Sequence, residues 1–333
     1  MTDARLAPRL APRLAVVTVA DDLHALVLRK VLRDRHAADL AIIHSDRLAA
    51  TGLVNWSTDA SRSAVLPDCD GRPVNLAALD LLWWRRPSGK GWNPNSDFLA
   101  SVTDEAARDL IYNDCVAALN GIVQAEFRGT WVNHPEATRR AEMKFVQLRA
   151  AHEAGLAVPR TLISQDPAEI RAFCAGRRVI VKAIAGTVKT PLMAQDVTPA
   201  LLANDAALRL SPAIWQERVD GTEHLRVHIF GQHIVAAHLA CPELDWRVHL
   251  EKTIVTQTRL APEIEARLRS VMAALDLRMA IFDLKIDSQG QVWWLEVNPQ
   301  GQFLFIEGMS GLPLADTFAD FLVESARPLS AAA

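Results

Sequence analysis

The sequence predicts a mixed chain, an α/β unit followed by α+β units, and three observations carry that reading. Apolar strand-like runs alternate with helical stretches over the first 130 residues, an order that favours a partly parallel sheet with covering helices. Short strands and helices then follow one another in a small α+β unit. Near the C-terminus, MAIFDLKIDSQGQVWWLEVN reads as two strands, Met279 to Ile286 and Gln291 to Val297, joined by a turn over Asp287 to Gly290.

The first strand is expected near Leu14 to Val19, after a repeated Arg-Leu-Ala-Pro segment that reads as a frayed leader. A helix follows over Asp22 to Arg33, then strands in AIIHS and LDLLWWRRP. Asp104 to Gly121 reads as a helix with Thr103 as N-cap and Gly121 just past its end. No glycine-rich phosphate loop follows these strands, so this region shapes or binds and does not supply nucleotide chemistry. A boundary near Gly129 divides the chain into units over 1–128, 129–212 and 213–330. The second unit opens with a helix that has Pro135 in its first turn and stops at Gly155. RTLIS, RRVIVKAIAG and PLMAQDV are its strands, and SQDPAEIRAFC is a capped short helix. The third unit begins with IWQERVDGTEHLRVHIFGQHIVAAHL, which gives two or three strands with turns at Asp220-Gly221 and Phe230-Gly231-Gln232. Helices Pro262 to Leu275 and Leu314 to Glu324 complete it around the hairpin.

With 333 residues the chain is long enough for two or three compact cores. Half of the residues are hydrophobic and the formal net charge is -3, which gives no global reason to expect nucleic acid or a membrane as partner. No apolar stretch approaches the ~20 residues of a membrane span. Cys69, Cys115, Cys174 and Cys241 are widely spaced without a CxxC pair, which argues against a zinc site or a disulfide framework and suits a cytoplasmic location.

Chemistry is concentrated in the hairpin. On a strand successive side chains alternate faces, so Glu296 and Asn298 point one way and Leu295 and Val297 point into a core. A bulge or a small slip in register would bring Asp283 to the polar face. Two carboxylates and an amide converging in an apolar setting would be costly unless a cation occupied the site, and hard oxygen ligands favour Mg2+; the alternative is a solvent-facing strand with chance carboxylates. Upstream, Leu225, Val227 and Ile229 face one way on a strand while Arg226 and His228 face the other. Arginine holds a carboxylate or phosphate through two parallel hydrogen bonds, which makes Arg226, and Arg247 after Asp245-Trp246, candidates for an anionic pocket. His228, His233, His238 and His249 read as ordinary core-edge or surface residues. The arginine pair of Trp83-Trp84-Arg85-Arg86 faces either an acidic substrate or water.

Lys144, Lys182, WQERV, HLRVHIFG, FDLKID and LEVNPQGQF occur in the order seen in the ATP-grasp superfamily, and the chain resembles that family. More narrowly, WWRRP, WVNHPEA, DWR and NPQGQF with IEGMSGLPL are similar to the microviridin-type ligases, the macrocyclases of graspetide biosynthesis. The resemblance implies an ATP-grasp fold preceded by an N-terminal α/β pre-ATP-grasp domain. It also implies ATP and Mg2+ as cofactors and activation of a carboxylate by the γ-phosphate. Lys144 and Lys182 would bring charge to the triphosphate, and Gln216, Glu217 and Val219 would lie on the strand facing adenine. Glu217 or Glu223 would take the ribose hydroxyls, and Asp283, Glu296 and Asn298 would hold the metal. The implied partner is a ribosomal precursor peptide whose leader sits near residues 186–211, and the implied assembly is a homodimer. A glutamate-adding or small amino-acid ligase, and a nucleotide-binding regulatory module without turnover, are the alternatives.

Overall fold

In the computed structural model, residues 11–59, 64–87, 101–185, 193–243 and 246–326 are described. The repeated leader segment before residue 11 lies outside them, as do 186–192 within the expected leader-binding stretch and Asp245. The chain divides into two compact units. One comprises residues up to Pro135, the turn Phe230–His233 and the chain from Pro313 onward. The other comprises Glu136–Ile229 and Ile234–Leu312. Among the described residues, no helix is long and apolar enough to cross a membrane.

The first unit is built on a four-stranded parallel sheet in the order β2-β1-β5-β6, with β1 Leu14–Thr18, β2 Leu40–His44, β5 Leu81–Trp84 and β6 Thr130–Val132. A small antiparallel pair, β3 Val65–Pro67 and β4 Pro73–Asn75, lies beside it in sequence. All five residues of β1 are buried, as a central strand covered on both faces requires. Helix α1, Leu23–His36, begins where the Asp22 side chain accepts the His24 amide. It ends where Ala37 takes a left-handed conformation. The helix Leu314–Ala326 packs on α1 and β5, bringing Phe318 within 4.7 Å of Trp83 and 4.8 Å of Phe230.

One expected boundary moves. The long helix runs Glu105–Glu126 with Asp104 as its cap, and Gly121 lies inside it. Leu119, Ile122 and Val123 are buried on either side of the glycine, and a glycine inside a helix costs only ~1 kcal/mol against that gain.

The second unit carries two sheets. In the smaller, the order is β7-β10-β8-β9, with β7 Thr161–Ser164, β8 Val179–Lys182, β9 Gln195–Asp196 and β10 Ala213–Glu217, all paired antiparallel. The larger has the order β13-β12-β11-β14-β15, with β11 Glu223–Phe230, β12 His233–Ala240, β13 Ile254–Thr258, β14 Met279–Ile286 and β15 Val292–Asn298. The opening helix of this region is two helices, Pro135–Glu142 and Lys144–Glu153, parted at Met143. Gly155, at φ +77°, then ends the second one, as the sequence predicts.

β14 and β15 pair antiparallel with a register shift between Asp283 and Leu284. Asp283 faces Glu296, yet Leu284 faces Trp294, so Leu295 is the extra residue of a bulge. That shift overturns the expected alternation: Trp294 and Val297 enter the core, and Leu295 stays half-buried. The core beneath holds Phe282, Leu284, Val227, Ile229, Leu268 and Val271.

Candidate functional site

The bulge is what makes the site. It puts the carboxylates of Asp283 and Glu296 directly across the ladder, with Asn298 beside them opposite Ile281. The Asn298 amide lies 3.3 Å from Asp283 Oδ2 and 3.4 Å from Glu296 Oε1, bridging the two acids.

Three cations surround the pair. Lys144 Nζ donates to Glu296 Oε2 at 2.8 Å, and Arg247 Nη1 donates to Glu296 Oε1 at 3.1 Å. Arg226 Nη1 donates to Asp283 Oδ1 at 2.6 Å. Lys144 is placed by its helix, which Gln147 clips to β15. The Gln147 side-chain amide donates to the carbonyls of Ala141 and Val297, and its oxygen accepts the Val297 N–H. Arg226 is held still more closely, for its Nη2 donates to the Gln302 carbonyl at 2.9 Å. Its guanidinium lies 5.5 Å from the Trp246 ring and 5.3 Å from the Phe305 ring. Gly301 lets that backbone approach, since a Cβ there would sit 2.7 Å from Ile281 Cδ1.

The carboxyls respond in opposite directions. Burial raises Glu296, but Lys144 and Arg247 outweigh it and hold that carboxyl well below the usual range. Burial pushes Asp283 up against the opposing charge of Arg226, and the negative Glu296 across the ladder adds to the rise. Glu296 therefore keeps its charge first.

A second cluster lies on the smaller sheet. Lys182 Nζ donates to Gln216 Oε1 at 2.7 Å, and Gln216 Nε2 donates to Thr161 Oγ1 at 2.9 Å. Glu217 is half-buried, and its backbone N–H donates to the Arg160 carbonyl at 2.8 Å. Val219 is half-buried just beyond β10. Glu223 instead pairs with His238 and accepts from Thr222 at 3.1 Å.

Of the residues singled out in the sequence, Lys144, Arg226, Arg247, Asp283, Glu296 and Asn298 thus form one hydrogen-bonded constellation. Lys182 and Gln216 form another. His228, expected at a core edge or surface, is fully buried on the Arg226 face of β11. Gln147 and Phe305 are not singled out by the sequence, and Trp246 and Gln302 stand there only inside the DWR and NPQGQF motifs, without a role of their own.

The two carboxylates are hard oxygen donors of the kind that would hold a cation, and in this chain Lys144, Arg247 and Arg226 already balance them. Among the described residues no group of three or more His, Cys, Asp and Glu side chains is placed to hold a metal; a cation here would take the two carboxylates and the oxygen of the Asn298 amide, whose nitrogen now faces both acids. That set suits Mg2+, which completes its shell with water and phosphate oxygens. Arg226 Nε is buried and has no hydrogen-bond partner among the described residues, a donor left over for an anion.

No protein-family model matches the chain, and no curated protein matches it either. Solved structures do. The macrocyclase MdnC from Microcystis aeruginosa MRC, bound with the precursor peptide MdnA, superposes with a TM-score of 0.82 at 21% identity, over 94% of this chain and 100% of that one. A RiPP-associated ATP-grasp ligase from Chryseobacterium gregarium, in complex with ADP and a leader and core peptide, gives 0.79 at 19% identity, over 95% and 98%. The ATP-grasp ligase PsnB, complexed with a minimal precursor variant, Mg and ADP, gives 0.76 at 20% identity, over 96% and 100%. The chain has the ATP-grasp fold.

Proposed function

We propose that the chain is an ATP-dependent ligase acting on a ribosomally synthesised precursor peptide. It would activate Asp or Glu side-chain carboxylates as acylphosphates and close macrolactone links to Thr or Ser, or macrolactam links to Lys. The observation that carries this reading is the convergence of Asp283, Glu296 and Asn298 with Lys144, Arg226 and Arg247 in a chain of ATP-grasp fold.

The peptide carboxylate attacks the γ-phosphorus of ATP and ADP leaves. A hydroxyl or amine of the same peptide then attacks the acyl carbon and phosphate leaves, so each link removes one water from the peptide. Mg2+ on Asp283, Glu296 and Asn298 would neutralise charge on the phosphates when bound. Lys144 and Arg247 balance Glu296 in the free chain and are the cations a triphosphate would draw upon. Arg226 offers its Nε–H to the developing anion from a guanidinium pinned on both Nη atoms. Such a preset donor needs no reorganisation as charge develops. Lys182 and Gln216 are assigned to the phosphates and the adenine strand, with Val219 beyond it. Glu223 is engaged by His238 and Thr222, which favours Glu217 for the ribose.

For the leader, β9 is the edge strand of its sheet and both of its residues are exposed. An extended peptide can add to such an edge.

The test is incubation with candidate precursors rich in Thr and acidic residues, ATP and Mg2+, read by mass. Loss of one water per link is expected. ATP turnover that responds only to free amino acids, with no precursor losing water, would overturn the reading.

A further inference from the structure

The carboxyl edge of the parallel sheet holds a second buried ion pair, which the ligase reading does not use. β1 lies between β2 and β5, so the chain leaves β1 toward one neighbour and later returns on its other side. The crevice outside the carboxyl ends of two such strands is where open parallel sheets bind ligands. Thr18 ends β1, Asp22 caps α1, and Arg85 follows the last residue of β5. The backbone N–H groups of Arg85 and Arg86 donate to the Val17 carbonyl at 3.1 and 3.4 Å, which fixes Arg85 at this edge.

Asp22 is fully engaged. Its Oδ2 accepts from Arg85 Nε at 2.5 Å and from Thr18 Oγ1 at 2.6 Å, while Oδ1 accepts the His24 backbone N–H at 3.1 Å. Arg85 is not. Its side chain is completely buried over the Trp83 ring, yet among the described residues neither Nη1 nor Nη2 has a hydrogen-bond partner. Leaving buried charged donors unmade is costly, so a native guanidinium in this state points to a missing acceptor. The two Nη groups form one edge of the guanidinium plane, the edge that matches a planar carboxylate with two parallel hydrogen bonds. Arg86 adds positive potential beside it and is itself half-buried.

We propose that Arg85 is the floor of a carboxylate socket at the switch point between β1 and β5, and that it receives a carboxylate of the substrate peptide. The peptide as its source rests on the ligase reading above. The socket itself rests on the Arg85 geometry alone.

The test uses the full chain without nucleotide. The Arg85 side-chain N–H resonances, assigned by their disappearance in Arg85→Lys, are followed during titration with three probes. N-acetylaspartate amide carries a side-chain carboxylate, N-acetylalanine an α-carboxylate, and N-acetylasparagine amide is the neutral control. A saturable shift with a carboxylate and none with the neutral control is expected, and the responding probe identifies which kind of peptide carboxylate fits. Arg85→Lys keeps the charge without the fork and should bind about tenfold more weakly or worse. Equal shifts with acid and amide, or no saturable shift, overturn the socket. So does unchanged affinity in a folded Arg85→Lys chain, and where a melting curve shows that variant unfolded, the wild-type titrations decide. Precursor cyclisation by a chain that binds no carboxylate here overturns the socket alone. Carboxylate binding by a chain that never removes water from a precursor leaves the socket standing and overturns the ligase reading.

Discussion

Arg226 and Arg85 begin from the same plan. Each meets a buried aspartate through a short bond, 2.6 Å to Asp283 and 2.5 Å to Asp22, and each lies against a tryptophan. They differ in what remains. Arg226 has both Nη atoms committed, to a carboxylate and a backbone carbonyl, and one free Nε–H. Arg85 commits Nε and keeps both Nη atoms. A guanidinium fixed on two sides is an oriented point donor, suited to a developing charge. One fixed only at Nε presents a fork, suited to holding a stable carboxylate. The orientation of the fork, and not burial or charge, separates the two proposed roles.

The largest effect should come from the acids that anchor Arg226 and its neighbours. Glu296→Gln supplies an oxygen without the charge that balances Lys144 and Arg247 or a metal. Single-turnover formation of dehydrated peptide should fall by about a hundredfold or more, with Asp283→Asn similar. Near-parental turnover in either variant would break the claim that this region is the reacting centre.

Next comes Arg226→Lys, which keeps the charge and loses the plane. Loss of one preset donor at a developing anion costs ~3 kcal/mol, or about a hundredfold in rate. Arg85→Lys in the same assay should mainly raise the peptide concentration needed for half-maximal rate. If Arg226→Lys reacts within about threefold of the parent, ~0.7 kcal/mol, its donor role fails and Arg247 becomes the better candidate.

Much of this was legible in the sequence because it is local. Alternation along β11 and β14, the Asp-Ser-Gln-Gly turn and the possibility of a bulge are short-range signals, and they suffice to bring Asp283, Glu296 and Asn298 together. The identity of the bulged residue was not legible, since Leu295 and Trp294 are equally apolar and only packing against Phe282 puts Trp294 inside. Contacts between distant segments were equally silent. Gln147 reaches Val297 across 150 positions, and Gln302 meets Arg226 across 76. Neither has a periodicity to announce it. Arg85 was visible only as half of an arginine pair, and its depth depends on the sheet around it.

The smallest expected effect lies beneath Arg226 and concerns stability. His228 is two residues along the same face of β11, fully buried, with Nδ1 3.1 Å from the Val235 carbonyl. An acceptor at that distance places a proton on Nδ1. Burial, and then the positive charge of Arg226, push its pKa down to about 3. The unfolded chain protonates the same ring near 6.5. Between those values the unfolded state binds a proton that the folded state does not, so stability falls as the pH drops through this window. From pH 6.5 to pH 5 the group should contribute ~2 kcal/mol of loss. His24, buried beside Asp22, is also depressed by burial, but its hydrogen bond to that carboxylate offsets part of the shift. His24→Gln should therefore flatten the pH dependence less than His228→Gln does. Urea unfolding at pH 7, 6 and 5 compares the slopes, and the His228 ring resonance, expected not to titrate above about pH 4, checks their cause. If that resonance titrates near 6.5 in the folded chain, the ring is solvated and Arg226 is less tightly enclosed than its contacts with Trp246 and Phe305 require.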